Sequence, residues 1–105
     1  MLAASPTVSD ASVGFHAQQA VEKCLKAVLA LNRVPFGRVH DIQALVDLLA
    51  ANHLPSPPHS GVLDTLTPYA VLLRYDLAPT TGSLNRRQVD QLVQDVRAWA
   101  GNLVR

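Results

Sequence analysis

The run from Phe15 to Leu31 contains neither glycine nor proline and is rich in Ala, Leu, Lys, Gln and Glu. That composition favours helix throughout, and no other stretch restricts the fold as much. Ala17, Ala20, Val21, Cys24, Val28 and Leu31 recur at spacings of three and four, so they share one helical face. Phe15, Leu25 and Leu29 widen the stripe, which predicts packing against more than one neighbour. His16, Gln19, Lys23 and Lys26 fall on another face at the same spacings, and the chain has no further lysines. The expectation is a core-forming helix that also carries a narrow polar strip.

The remaining segments repeat the helical period. Met1 to Val8 is small and polar with Pro6 and is expected to be disordered, with Ser9 or Asp10 capping the first helix and Gly14 weakening its start. Asn32 to Val39 breaks that helix through Pro35 and Gly37. His40 and Asp41 open a second helix reaching about His53, with Ile42, Leu45, Leu48 and Leu49 as its buried stripe. Pro55, Pro57 and Pro58 make the next connection a stiff loop. Ser60 is read as the cap of a third helix that turns Val62, Leu66, Tyr69, Ala70 and Leu73 to the core, kinked or restarted at Pro68 and closed by Arg74-Tyr75-Asp76. Asn85 with Gln88 forms a capping-box pattern, and Leu84 with Val89 the accompanying staple. The fourth helix starts near Arg86 and carries Val89, Leu92, Val93, Val96, Trp99, Ala100 and Leu103 inward. Short connections and no strand-period segment predict an all-α, up-and-down four-helix bundle, one domain over residues 1–105.

Composition narrows the function classes. Nine basic and eight acidic residues give a net charge of +1, too balanced to argue nucleic-acid binding from bulk charge and compatible only with a local basic patch. A single cysteine, Cys24, excludes an internal disulfide framework and suits a reducing compartment. Charged residues interrupt every apolar stretch well short of the roughly twenty residues a membrane span needs. A soluble, cytoplasmic protein without membrane association is expected. His53 and His59 lack metal-ligand spacing, the carboxylates are scattered, and no glycine-rich phosphate loop is present, so neither a metal nor a cofactor is expected.

The wording FHAQQAVEKCLKAVLAL, followed by Val39-His40-Asp41-Ile42-Gln43-Ala44-Leu45 and by Leu72-Leu73-Arg74-Tyr75-Asp76, resembles the prokaryotic HEPN domain. The resemblance covers about Phe15 to Asp76, and the last helix fits in pattern only. It implies a small, usually dimeric bundle, often encoded beside a minimal nucleotidyltransferase and associated with nucleotide binding or, in some branches, RNA cleavage. The family normally has a longer stretch before the first block. Only fourteen residues precede Phe15, which implies a short first helix or a truncated pattern, and with it an uncovered groove that favours self-association.

Three sets of residues are candidates for binding. His16, Gln19, Lys23 and Lys26 form a cationic strip that suits a phosphate or an acidic partner, or else a solvated face. His40 and Asp41 sit at a helix start, where they contact a nucleotide or simply cap free amides. Arg74 offers a bidentate phosphate donor and Tyr75 a stacking ring, or they are an ion-paired arginine and a rim tyrosine. RNA-cleaving members carry an Arg, four to six residues and a His near the start of the last helix; here no histidine follows His59. Arg33 and His40 have the right separation but lie between the first and second helices. The leading expectation is a non-enzymatic, homodimeric module that binds a nucleotide or RNA, or docks onto a cognate nucleotidyltransferase, in a toxin–antitoxin or stress-response pair. The alternatives are a metal-independent ribonuclease toxin using Arg33 and His40 or a composite dimer site, and a helical scaffold without a ligand.

Overall fold

The computed structural model describes residues 10–69 and 85–104. They form three α-helices, α1 (Asp10–Leu31), α2 (Ile42–Ala51) and α3 (Arg86–Val104), with one 3-10 turn at Leu63–Leu66 and no strand among the described residues. The all-α expectation holds. α1 is the common partner: α3 packs along one flank, α2 and the 3-10 turn along the other.

Two helices end in the same way, and neither needs a glycine. After α1, the amide of Arg33 donates to the carbonyl of Ala30 and that of Val34 to Leu29, with Arg33 at φ 60°. After α2, His53 donates to Ala50 and Leu54 to Leu49, with His53 at φ 58°. This paired pattern satisfies carbonyls that the helix end leaves open. The first break therefore comes at Asn32 and Arg33, ahead of Pro35 and Gly37. Asp41 caps α2, its Oδ1 accepting from the amides of Gln43 (2.9 Å) and Ala44 (3.3 Å). Asn85 caps α3, accepting from the amide of Gln88 at 3.1 Å.

The core is aliphatic. Val21, Leu25, Val28 and Leu29 of α1 meet Ile42, Leu45 and Leu49 of α2, Leu63 and Leu66 of the 3-10 turn, and Leu92, Val96 and Ala100 of α3. Each fully buried leucine contributes roughly 1.5–3 kcal/mol of transfer free energy. Gly14 earns its place by proximity: a Cβ there collides with the ring of Tyr69.

Three expectations need correction. Leu31 is 52% exposed, because the chain turns away at Asn32 and the end of the stripe has nothing to pack against. Val62 is 49% exposed, and Ser60 starts no regular α-helix. In its place the chain makes turns and then the 3-10 segment, whose last bond runs from Thr67 to Asp64 just before Pro68, a residue with no amide hydrogen to extend the ladder. Ala70, Leu73, Arg74, Tyr75, Asp76 and Leu84 lie outside the described residues. The proline-rich loop is fastened to α3 by His59, whose Nε2 lies 2.8 Å from Asp95 Oδ2.

Candidate functional site

The polar strip of α1 divides between two flanks of the helix. On the α2 side lies a knot built around Glu22. Glu22 and Gln18, one turn apart, are 5% and 0% exposed, although both are polar. The Glu22 carboxylate accepts from Gln18 Nε2 (2.8 Å) and Lys26 Nζ (3.2 Å), and it faces His40 Nδ1 at 3.2 and 3.3 Å. Gln18 Nε2 also reaches the carbonyl of His40 (3.4 Å), and Gln18 Oε1 accepts from Gln19 (2.8 Å). Lys26 lies 5.4 Å from the centre of the Phe36 ring, a cation–π distance. Burial is the largest single influence on Glu22 and raises its pKa. The hydrogen bonds from Gln18, His40 and Lys26, with the Lys26 charge, outweigh it and hold the carboxyl below the ordinary range. An ionised carboxylate only accepts, so the facing Nδ1 of a neutral His40 carries the proton. The ring's other nitrogen is left with its lone pair, on a side chain 67% exposed.

On the other flank, α1 and α3 enclose a groove of about 180 Å³. Its apolar lining is Val13, Ala17, Ala20, Val89 and Val93; its polar lining is His16, Arg86, Arg97 and Asp90. The apolar positions are the edges of both helical stripes, where neither helix fully covers the other. His16 stacks edge-on against Phe15, with ring centres 5.6 Å apart. Further along the same seam a shallower depression of about 300 Å³ is lined by Lys23, Cys24, Ala27, Arg97, Ala100, Gly101 and Val104. Cys24 is half-buried; burial pushes its thiol above the usual range, partly offset by the charge of Arg97. It is therefore a protonated thiol at neutral pH and a poor nucleophile. A third concavity, of about 440 Å³, lies between His59, Leu66 and the start of α3 and is lined chiefly by neutral side chains.

The expected set of site residues is thus separated. Gln19, Lys26 and His40 join the knot, and Asp41 caps α2. His16 and Lys23 face α3 instead. Arg74 and Tyr75 lie outside the described residues. Arg33 serves the backbone turn after α1, and among the described residues it makes no hydrogen bond or ion pair with His40. Four contributors were missed from the sequence: Glu22 with Gln18 in the knot, and Asp90 and Arg97 in the groove. The signal for the first pair was available, since Gln18 and Glu22 share a helical face with Val21, Leu25 and Leu29 at spacings of three and four. Arg97 gave none, because only the approach of α1 makes it part of a groove.

Among the described residues, no group of three or more His, Cys, Asp or Glu side chains is placed to hold a metal ion. No described helix is long and apolar enough to cross a membrane. A family model described as the HEPN domain matches residues 9–99. No curated protein and no solved structure matches the chain.

Proposed function

This chain belongs to the HEPN domain family, and on that premise we propose that it is a non-enzymatic binding module taking the phosphate of a nucleotide or of RNA into the groove between α1 and α3. One observation carries the reading: His16, Arg86 and Arg97 converge on a single concavity with an apolar floor. A guanidinium offers a planar pair of donors that matches phosphate, and an imidazole adds a donor whose charge responds near neutral pH. The Val13, Ala17, Ala20, Val89 and Val93 surface suits the face of a base or ribose, and Asp90 accepts from its amino or hydroxyl groups. The family resemblance adds the rest of the proposal: a complete four-helix bundle over residues 1–105, a cytoplasmic homodimer, and pairing with a minimal nucleotidyltransferase in a toxin–antitoxin or stress-response system.

Calorimetric titration with UMP, AMP and GMP tests the groove. Saturable heat, abolished in Arg97→Ala and weakened in His16→Ala, is the expected result; no heat with any nucleotide sinks the reading. A second reading, a ribonuclease built on His40, draws support from the Glu22 carboxylate set against Nδ1, an arrangement that orients a general base. Incubation with total RNA separates the two. Intact RNA favours the binding module, whereas cleavage that disappears in His40→Ala favours the ribonuclease.

A further inference from the structure

The concavity between the 3-10 turn and α3 takes no part in either reading above. Its volume of about 440 Å³ lies within the span of small-molecule sites, roughly 300 to 1,000 Å³. Leu66, Val89 and Leu92 give it an apolar wall, and Thr65, Gln88 and Gln91 add uncharged polar groups. Of the residues that line it, His59 alone has a titratable side chain, and that ring is turned to Asp95 at 2.8 Å. The Gln88 side chain makes no hydrogen bond among the described residues, so its amide offers both a donor and an acceptor. A charged ligand finds no counter-ion in such a lining. An uncharged one with an apolar body and one hydrogen-bonding edge is matched on both counts.

One border of the cavity is built to move. Residues 58–62 run between two buried anchors, Pro57 and Leu63, and carry His59 and Val62 to the cavity. His59 is the fixed point of this segment. Its ring is tied to Asp95, which Gln91 holds in turn at 2.8 Å, and its carbonyl accepts from the amides of Val62 and Leu63. The hydrogen bonds from His59 and Gln91 keep the Asp95 carboxyl below the ordinary carboxylate range, so it is ionised where it meets the ring. Gly61 is the free point: a Cβ there would meet no atom within 4 Å, and glycine adds the backbone freedom a hinge needs. Val62, next to it, is 49% exposed at the edge of the cavity. Its side chain gains apolar contact when a molecule lies beneath it.

We propose that this concavity binds a small uncharged molecule, and that residues 58–62 are a flap that swings at Gly61 to close Val62 over it, with the His59–Asp95 pair as the fixed end. The site shares only Val89 with the α1–α3 groove and stands apart from the nucleotide reading.

Two dyes of one skeleton test this on the full chain: N-phenylnaphthylamine, uncharged with one N–H donor, and anilinonaphthalene sulfonate, its anionic counterpart. Fluorescence titration should show saturable binding of the amine, tighter than that of the sulfonate. Gln88→Phe fills the cavity from an exposed position and should abolish amine binding, whereas Arg97→Ala in the groove should leave it unchanged. Val62→Ser, also at an exposed position, should weaken the amine roughly tenfold, the loss of one valine side chain from a buried contact. Saturating amine should slow hydrogen exchange at the amides of Val62 and Leu63. No binding of the amine, tighter binding of the sulfonate, or full binding in Gln88→Phe overturns the site. Amine binding that Gln88→Phe abolishes, but with no loss in Val62→Ser or no change in exchange, overturns the flap and leaves a rigid cavity.

Discussion

Lys23 and Lys26 sit on the same helix three residues apart, yet they belong to regions with opposite chemistry. Lys26 is 19% exposed at its side chain and spends its charge on Glu22, beneath Phe36. Lys23 is exposed and borders a seam where fixed cations outnumber carboxylates. The knot around Glu22 is closed on itself: every donor in it already has an acceptor, so it holds α1 to the start of α2 and offers a ligand little beyond the outer nitrogen of His40. The seam between α1 and α3 is the reverse: among the described residues, His16, Lys23 and Arg97 make no hydrogen bond or ion pair there. Charge that is satisfied internally builds structure; charge that is left over is available for binding.

The sharpest way to break this contrast is to remove Glu22. Glu22→Ala takes one acceptor from Gln18 and removes the carboxylate that Lys26 and His40 face, so urea unfolding should show a loss of about 3 kcal/mol, as expected for breaking a buried pair. Lys23→Ala should change stability by less than about 0.5 kcal/mol. Equal costs would mean that the knot and the seam do not differ in kind. The next effect is on pH dependence. Because the folded Glu22 pKa lies below its ordinary value of 4.5, its contribution is fully present above that value and is lost as pH falls through the folded one. Glu22→Gln should therefore lose stability less steeply than the parent below about pH 4.5. Parallel acid limbs would contradict the role given to the knot.

A smaller effect separates the Arg33 backbone role from a catalytic one. Arg33→Gly meets a φ of 60° that favours glycine, so it should unfold no more easily than the parent and retain whatever activity toward RNA the protein shows. Loss of such activity would revive the ribonuclease reading. The smallest effect lies in the seam. Arg97→Ala removes the charge that partly offsets burial at Cys24, so iodoacetamide should alkylate Cys24 more slowly at pH 8–9. An unchanged or faster rate would mean that Arg97 does not reach across to α1.

Much of the helical frame was readable in advance. The stripes of α1, α2 and α3 coincide with the buried Val21, Leu25, Ile42, Leu45, Leu49, Leu92 and Val96, because a side-chain period of 3.6 ties each residue's direction to its neighbours. Asp41 and Asn85 were identifiable as caps because capping acts over two or three residues of contiguous chain. The stretch from Ser60 was misjudged because Val62 and Leu66 stand at the α-helical spacing of four, whereas the 3-10 turn, with three residues per turn, buries Leu63 with Leu66 instead.

What the sequence determined by itself is therefore that α1, α2 and α3 are helices, where α2 and α3 are capped, and most of the face each buries, all consequences of interactions within about one turn. It could not say which flank of α1 meets α2 and which meets α3. That choice, made only in the tertiary structure, closes Glu22 on His40 eighteen residues away and leaves His16, Lys23 and Arg97 open along the opposite seam. The physical reason is that periodicity orients a side chain about its own axis, whereas the partner that satisfies or abandons its charge arrives from a distant part of the chain.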